Sequence, residues 1–156
     1  MANADDNAAD LVTEYVTMTI GDHMFGLPIF RVQDVFVPAR LTRVPLAPPE
    51  VAGILNLRGR VVTAIDMRSR LDLGARPPGM PLMAIGIELK GEHYGLLIDT
   101  VGEVMKLGEE TLEPNPVNLD PRLARVSGGV HRLDGQLMVI LDVDYVLNGS
   151  AETLAA

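Results

Sequence analysis

Three histidines, two aspartates at matched positions and a set of arginines are the side chains here whose types could do chemistry. His23, His93 and His131 are the only imidazoles, the group best suited to proton transfer or metal ligation near neutral pH. His23 and His93 each follow a Gly-acid pair, Gly21-Asp22 and Gly91-Glu92, which reads as a hairpin turn; His131 stands beside Gly128-Gly129, another turn signal. All three are therefore expected on the solvated surface, without a base or ligand role. Asp66 and Asp142 each close an apolar strand. Two carboxylates could act as acid and base. Occurring once in each half of the chain, they fit helix capping better, since an aspartate ahead of a short helix accepts backbone N–H bonds. Asp142-Val143-Asp144 begins like a calcium loop but lacks the following glycine and the distal glutamate. There is no Gly-x-x-x-x-Gly-Lys, no Gly-x-Ser-x-Gly and no zinc-ligand spacing, and with no cysteine there is no thiol nucleophile or disulfide framework. No catalytic residue, cofactor or metal site is expected. The chemistry that remains is binding.

The elements that would position these residues are short strands. Residues 1–11 read as a disordered acidic tail without the features of a signal peptide. From Glu14 to Ile20 the side chains alternate as in a strand, Gly21-Asp22-His23 turns, and Met24 to Ile29 returns. Pro28 has no N–H for a ladder, which predicts an edge strand or a bulge. Phe30 to Val35 fits either a strand or one helical turn. Val44 to Pro49 is extended, with a short helical turn closed by Gly53 expected after it. Gly53 to Leu71 reads as strand, tight turn, strand and a short helix capped by Asp66. Arg76 to Pro81 is a linker by composition.

After that linker the order of events repeats. Phe25-Gly26-Leu27, Ile29, Val32 and Asp34-Val35 recur as Tyr94-Gly95-Leu96, Ile98, Val101 and Glu103-Val104, an offset of 69. Gly53-Ile54, Leu57, Gly59, Ile65-Asp66 and Leu71 recur as Gly129-Val130, Leu133, Gly135, Leu141-Asp142 and Leu147, an offset of 76. The extra residues fall naturally in the polar, proline-rich stretch 113–121, because loops tolerate insertion. Each copy holds four or five short strands, which suits a small barrel. Two such halves would share an apolar seam with a cleft between them. The runs Val35-Phe36-Val37 and Leu96-Leu97-Ile98 break the alternation, so both of their faces need covering, by the sister barrel or by a partner. Ile29 and Val32 are the residues expected to stay exposed. At the turn Asn56-Leu57-Arg58-Gly59-Arg60, after an apolar strand, Arg58 has Asp134 as its counterpart in the second copy, so the charge reverses between halves.

Bulk properties narrow the partners. A net charge of −8 repels phosphate backbones, and although Arg58, Arg60, Arg68 and Arg70 lie close in sequence, none of the three Tyr and three Phe is interleaved with them as a stacking platform. Nucleic acid is not expected as a partner. No apolar run approaches the roughly 18 residues of a membrane span, so no membrane insertion is expected and a cytoplasmic protein is the default.

The stretch Val44-Pro45, Pro48, Val51, Gly53-Ile54, Asn56-Leu57-Arg58-Gly59, Val61, Ile65-Asp66 and Arg68 resembles the signature of CheW, the bacterial chemotaxis coupling family. Gly21-Asp22, Phe25-Gly26, Val32-Gln33-Asp34-Val35, Gly95, Ile98-Asp99 and Val101 are similar to the same family, and the resemblance runs from about Glu14 to Leu147. It implies a mainly β, CheW-like fold of two intertwined five-stranded Src-homology-3-type barrels with short helices. Residues 12–150 would form this domain, the first barrel largely 14–75 and the second largely 82–147 with strand exchange possible, and 151–156 would be a C-terminal tail. It also implies a non-enzymatic adaptor, monomeric alone, joining the cytoplasmic hairpin tip of chemoreceptors to the regulatory domain of the histidine kinase CheA in arrays at the inner face of the membrane. The matching receptor-side positions are Ile29, Val32, Asp34, Arg58 and Met83, and the kinase-side positions are Val35 and Leu41. Asp34 departs from the glutamate usual there, and Thr63-Ala64 stands where Pro-Val or Pro-Ile is usual. The alternatives are the same scaffold in another histidine-kinase pathway and, remotely, a small-barrel nucleic-acid binder.

Overall fold

The structure, a computed structural model, describes residues 12–147. The tails expected at 1–11 and 151–156 lie outside the described residues. The chain runs β1 (Val12–Ile20), β2 (His23–Pro28), a 3-10 turn (Ile29–Arg31), β3 (Asp34–Phe36), β4 (Val51–Leu57), β5 (Arg60–Asp66) and α1 (Met67–Arg70). It continues through β6 (Met83–Leu89), β7 (Glu92–Ile98), β8 (Thr100–Gly108), a 3-10 turn (Glu109–Thr111) and β9 (Leu112–Glu113). It ends with α2 (Pro121–Ala124), β10 (Ser127–Leu133), β11 (Gln136–Leu141) and α3 (Val143–Leu147).

These strands form two sheets, ordered β8-β1-β2-β11-β10-β9 and β3-β6-β7-β5-β4. Matched through the repeat, the two orders are the same strand for strand, with β9 an addition that follows the 3-10 turn at 109–111. Neither sheet is a contiguous half of the chain. Each takes its first hairpin from one copy and its other strands from the other copy. In both sheets the hairpin is joined to the other copy on two sides, by an antiparallel pairing, β1 with β8 and β6 with β3, and by the sheet's one parallel pairing, β2 with β11 and β7 with β5. The fold is thus mainly β, two SH3-like barrels interlocked by exchanged hairpins.

Interlocking explains the apolar runs. Along β7, Leu97 points into the interior of its own barrel with Leu55, Val62, Ala64 and Ala84, while Leu96 and Ile98 point into the core shared by the sheets. β11 does the same, with Met138 and Ile140 inside one barrel and Val139 and Leu141 in the shared core. A strand buried on both faces cannot alternate, because neither face meets water. In β3 and just beyond it the pattern differs: Phe36 turns inward, whereas Val35 and Val37 are exposed. The shared core fills the seam between the sheets, so the expected cleft is reduced to depressions at its surface.

Several local expectations need correction. β2 is not an edge strand; it lies between β1 and β11. Pro28 is accommodated because the β11 ladder ends at the Ile140–Gly26 pair, before the missing N–H would matter. The 30–35 stretch is both a 3-10 turn and a strand. No helix precedes Gly53. It sits inside β4 at a register shift, with φ 150° and the Thr42 carbonyl only 2.6 Å from where a Cβ would lie. Its repeat counterpart Gly129 has φ 132° at the matching shift in β10. The glycines read as turn signals therefore serve β-bulges.

His131 is accordingly buried inside β10 and not in a solvated turn. Thr111 Oγ1 donates to the Gly108 carbonyl, so the contact of 3.1 Å with His131 Nδ1 requires that nitrogen to donate. Tyr15 packs edge-on against the ring, and the buried Nε2 has no partner among the described residues. Burial pushes the His131 pKa below 6.5, against weaker opposite pulls from Thr111 and Glu113. A depressed histidine contributes stability above its unfolded pKa that is lost as the pH falls. Wild-type stability should therefore drop from about pH 7 toward pH 5, and His131→Phe should flatten that slope in urea melts; an unchanged slope would contradict this reading.

Candidate site at the barrel mouth

Asp34 opens β3 and Arg58 occupies the β4–β5 turn, at opposite ends of their sheet's strand order. Even so, Arg58 Nη1 donates to Asp34 Oδ2 at 2.6 Å, so the sheet curls until its two ends meet and this ion pair spans the closure. Beneath it lies a small cavity of about 120 Å³ lined in part by Phe36, Leu57, Val62 and Tyr94. At the rim, Gln33 donates to Glu88 and contacts His93 Nδ1.

The turn is built to project Arg58. Leu57 pairs with Arg60, leaving a two-residue loop in which Arg58 has φ 53° and Gly59 φ 81°. Positive φ at both central positions matches the strand twist, but a non-glycine residue there costs about 1–2 kcal/mol. The Asn56 side chain braces the loop by accepting the Gly59 N–H at 2.9 Å. The Arg58 side chain is 77% exposed, so the pair with Asp34 contributes less than about 1 kcal/mol to stability. Its use is geometric: one guanidinium nitrogen is held and the other donors face outward. Removing the brace with Asn56→Ala should lower the melting temperature by only a few degrees, a loss of about 1 kcal/mol, and broaden the Arg58 side-chain signals in NMR spectra. Unchanged Arg58 signals would show that the turn holds itself.

The remaining expected positions are distributed. Ile29 lies exposed on the first 3-10 turn, while Val32, just beyond it, is half-buried against the shared core, so of these two only Ile29 stays open. Met83 begins β6, three residues or about 10 Å along the strand from Gly86, the partner of Asp34, and also packs on the shared core. Val35 is exposed opposite Ile85, and Leu41 packs half-buried on the barrel interior. Near Leu41, the exposed Val61 borders a shallow depression with Thr42 and Ile54.

Sequence reasoning missed the buried carboxylate. The Asp99 side chain is 1% exposed and accepts two bonds from Arg68, at 2.7 and 3.0 Å, one from Arg76 at 3.1 Å and one from the Gly21 N–H at 2.8 Å. Burial raises its pKa, but these bonds, led by Arg68, together outweigh it and hold the carboxyl below its ordinary range. Arg68 and Asp99 both stood in the family-like motifs, yet only the hairpin exchange brings them together. Asp66 and Asp142 are helix caps as expected, accepting from the backbone N–H groups of Arg68 and Tyr145. Among the described residues no cluster of three or more His, Asp or Glu could hold a metal, and no helix is long and apolar enough to cross a membrane.

Known proteins resemble this chain in sequence and in fold. The CheW-like domain matches residues 14–151. The chain is 27% identical to the chemotaxis protein CheW of Rhizobium meliloti, over 94% of each chain, and 26% identical to that of Helicobacter pylori, over 87% of this chain and 82% of the other. The crystal structure of the scaffolding protein TtCheW from Thermoanaerobacter tengcongensis superposes with a TM-score of 0.78 at 28% identity, covering 88% of this chain and 90% of that one. With the match spanning both interlocked barrels, the chain belongs to the CheW family of chemotaxis scaffold proteins.

Proposed function

We propose that this chain is a non-enzymatic adaptor that couples transmembrane chemoreceptors to the histidine kinase CheA, recruited to receptor arrays at the inner face of the membrane. The observation carrying the reading is the exposed guanidinium of Arg58, fixed by Asp34 at the mouth of one barrel. An arginine with most of its donors free and its base held is suited to planar acceptors on a partner, such as a carboxylate or a row of carbonyls. Ile29, Val32, Asp34, Arg58 and Met83 form the receptor side in this reading. Val35 and Leu41 form the kinase side, on the strand and loop beyond the ion pair. Because the two sets adjoin without coinciding, both partners can be held together, and a change in one complex can bias the other's equilibrium.

Mixing the purified chain with a receptor hairpin fragment and the kinase regulatory domain tests this. A ternary complex in sedimentation is expected; mutually exclusive binding of the two partners would refute the adaptor reading.

A further inference from the structure

The offset of 76 pairs His131 with Leu55, Met138 with Val62 and Ile140 with Ala64. In the first copy these three positions are apolar and fill a barrel interior. The second copy sets an imidazole among them, 1% exposed, with Tyr15 edge-on against the ring and Met138 paired with it on β11. The same copy carries an added segment. Along β4 the first copy has a single bridge, Thr42 to Ile54, whereas β10 is flanked by the 3-10 turn at 109–111 and by β9. The hydrogen bond of the His131 ring, from Nδ1 to Thr111 Oγ1, goes to that segment. Little else holds it. β9 pairs with β10 at two positions, Glu113 with Val130 and Leu112 with His131, and none of residues 109–113 is buried. Downstream, Ser127 donates to Asn115 Oδ1 and fixes the far end of the strap. The neutral ring suits this closed state, because a lone pair at Nε2 costs far less among apolar neighbours than a charge would. A protonated ring does not suit it: Nε2–H would be a charged donor facing no acceptor among the described residues.

We propose that His131 is a proton-operated latch on residues 109–113: neutral, it holds them closed against the second barrel, and protonated, it releases them. The groups packed around the ring favour release over rearrangement inside the barrel. On β1 the inward group is Tyr15, which burial keeps neutral by raising its pKa, while Glu14 is exposed opposite Lys106 of β8. β11 carries no charged side chain, and His23 of β2 packs on Phe25. Arg132, next along β10, is paired outside the barrel with Glu113 of β9, and Glu109 and Glu110 stand exposed on the 3-10 turn. No carboxylate bonds Nε2 while the segment is closed. Once the segment lifts, the imidazolium gains water and the company of these three carboxylates. A weakly held surface segment opens without the rest of the fold.

Amide hydrogen exchange on the full chain tests the latch, with rates corrected for the pH dependence of intrinsic exchange. Between pH 7.5 and pH 5.5 the opening of residues 111–113 should rise about ten-fold, the factor for protonating a solvated imidazole that the closed state keeps neutral. The rise should be insensitive to low urea, since a local opening exposes little surface, whereas core amides of β7 and β11 should exchange faster as urea increases. His131→Phe, which keeps a ring in the apolar site, should abolish the rise. Thr111→Ala, a surface change that removes the ring's partner, should speed exchange at pH 7.5 and keep the pH dependence. Equal opening at the two pH values in wild type or in Thr111→Ala would overturn the proposal, as would the same rise in His131→Phe. A rise that grows with urea in step with the core amides would assign it to global unfolding and overturn the proposal too.

Discussion

Asp99→Ala is expected to cost about 3–5 kcal/mol of folding stability, a fall of roughly 10 °C in melting temperature for a chain of this length. The side chains of Arg68 and Arg76 are 11% and 16% exposed, so removing the carboxylate leaves two nearly buried guanidinium groups without their ion-pair partner. The exposed Arg132–Glu113 pair sets the contrast, since cutting it should change stability by less than about 1 kcal/mol. Acid dependence gives an independent reading. A carboxyl held below its ordinary range contributes stability that is complete above its unfolded pKa and lost as the pH falls through the folded value. Wild-type stability should therefore fall steeply below about pH 4, with Asp120 adding the same sign because Arg122 holds it at about 2. Asp99→Asn should be less stable at neutral pH and show a shallower acid limb. Equal stability of Asp99→Ala and wild type would mean that the interlock does not depend on this charge.

Arg58→Ala should do the reverse, leaving the fold and removing receptor control of the kinase. Alanine inherits the same left-handed backbone, so the turn gains no new strain, and the lost surface ion pair is worth less than about 1 kcal/mol. An anchoring arginine at an interface typically contributes about 2 kcal/mol or more, so tip affinity should fall at least about thirty-fold. In a reconstituted array the kinase should then ignore the receptor, while circular dichroism and melting remain close to wild type. Full control by this variant would remove Arg58 from the receptor side.

Much of the fold could be read from local signals. The recurrence of Phe25-Gly26-Leu27 as Tyr94-Gly95-Leu96 marks the repeat, and the caps at Asp66 and Asp142 follow from an aspartate ending each apolar strand. The hairpin exchange could not be read this way. It is set by which sheet edge each first hairpin pairs with, a contact between residues as distant as Met24 and Met138, and no local pattern encodes it. The Asp99 lock depends on that exchange and was hidden with it. His131 was misplaced because Gly128-Gly129 resembles a turn, and only the neighbouring strand shows that it is a bulge. Asp34 and Arg58 were named together through the family signature; their meeting across the closed barrel is a tertiary result that their 24-residue separation does not predict.

Coupling of receptor to kinase by this chain is tested most directly by kinase activity in a three-part reconstitution. Receptor-containing membranes, the kinase and this chain should together show phosphorylation that follows receptor ligand, and the response should vanish when the chain is left out. A kinase that answers the receptor equally well without it would contradict the account.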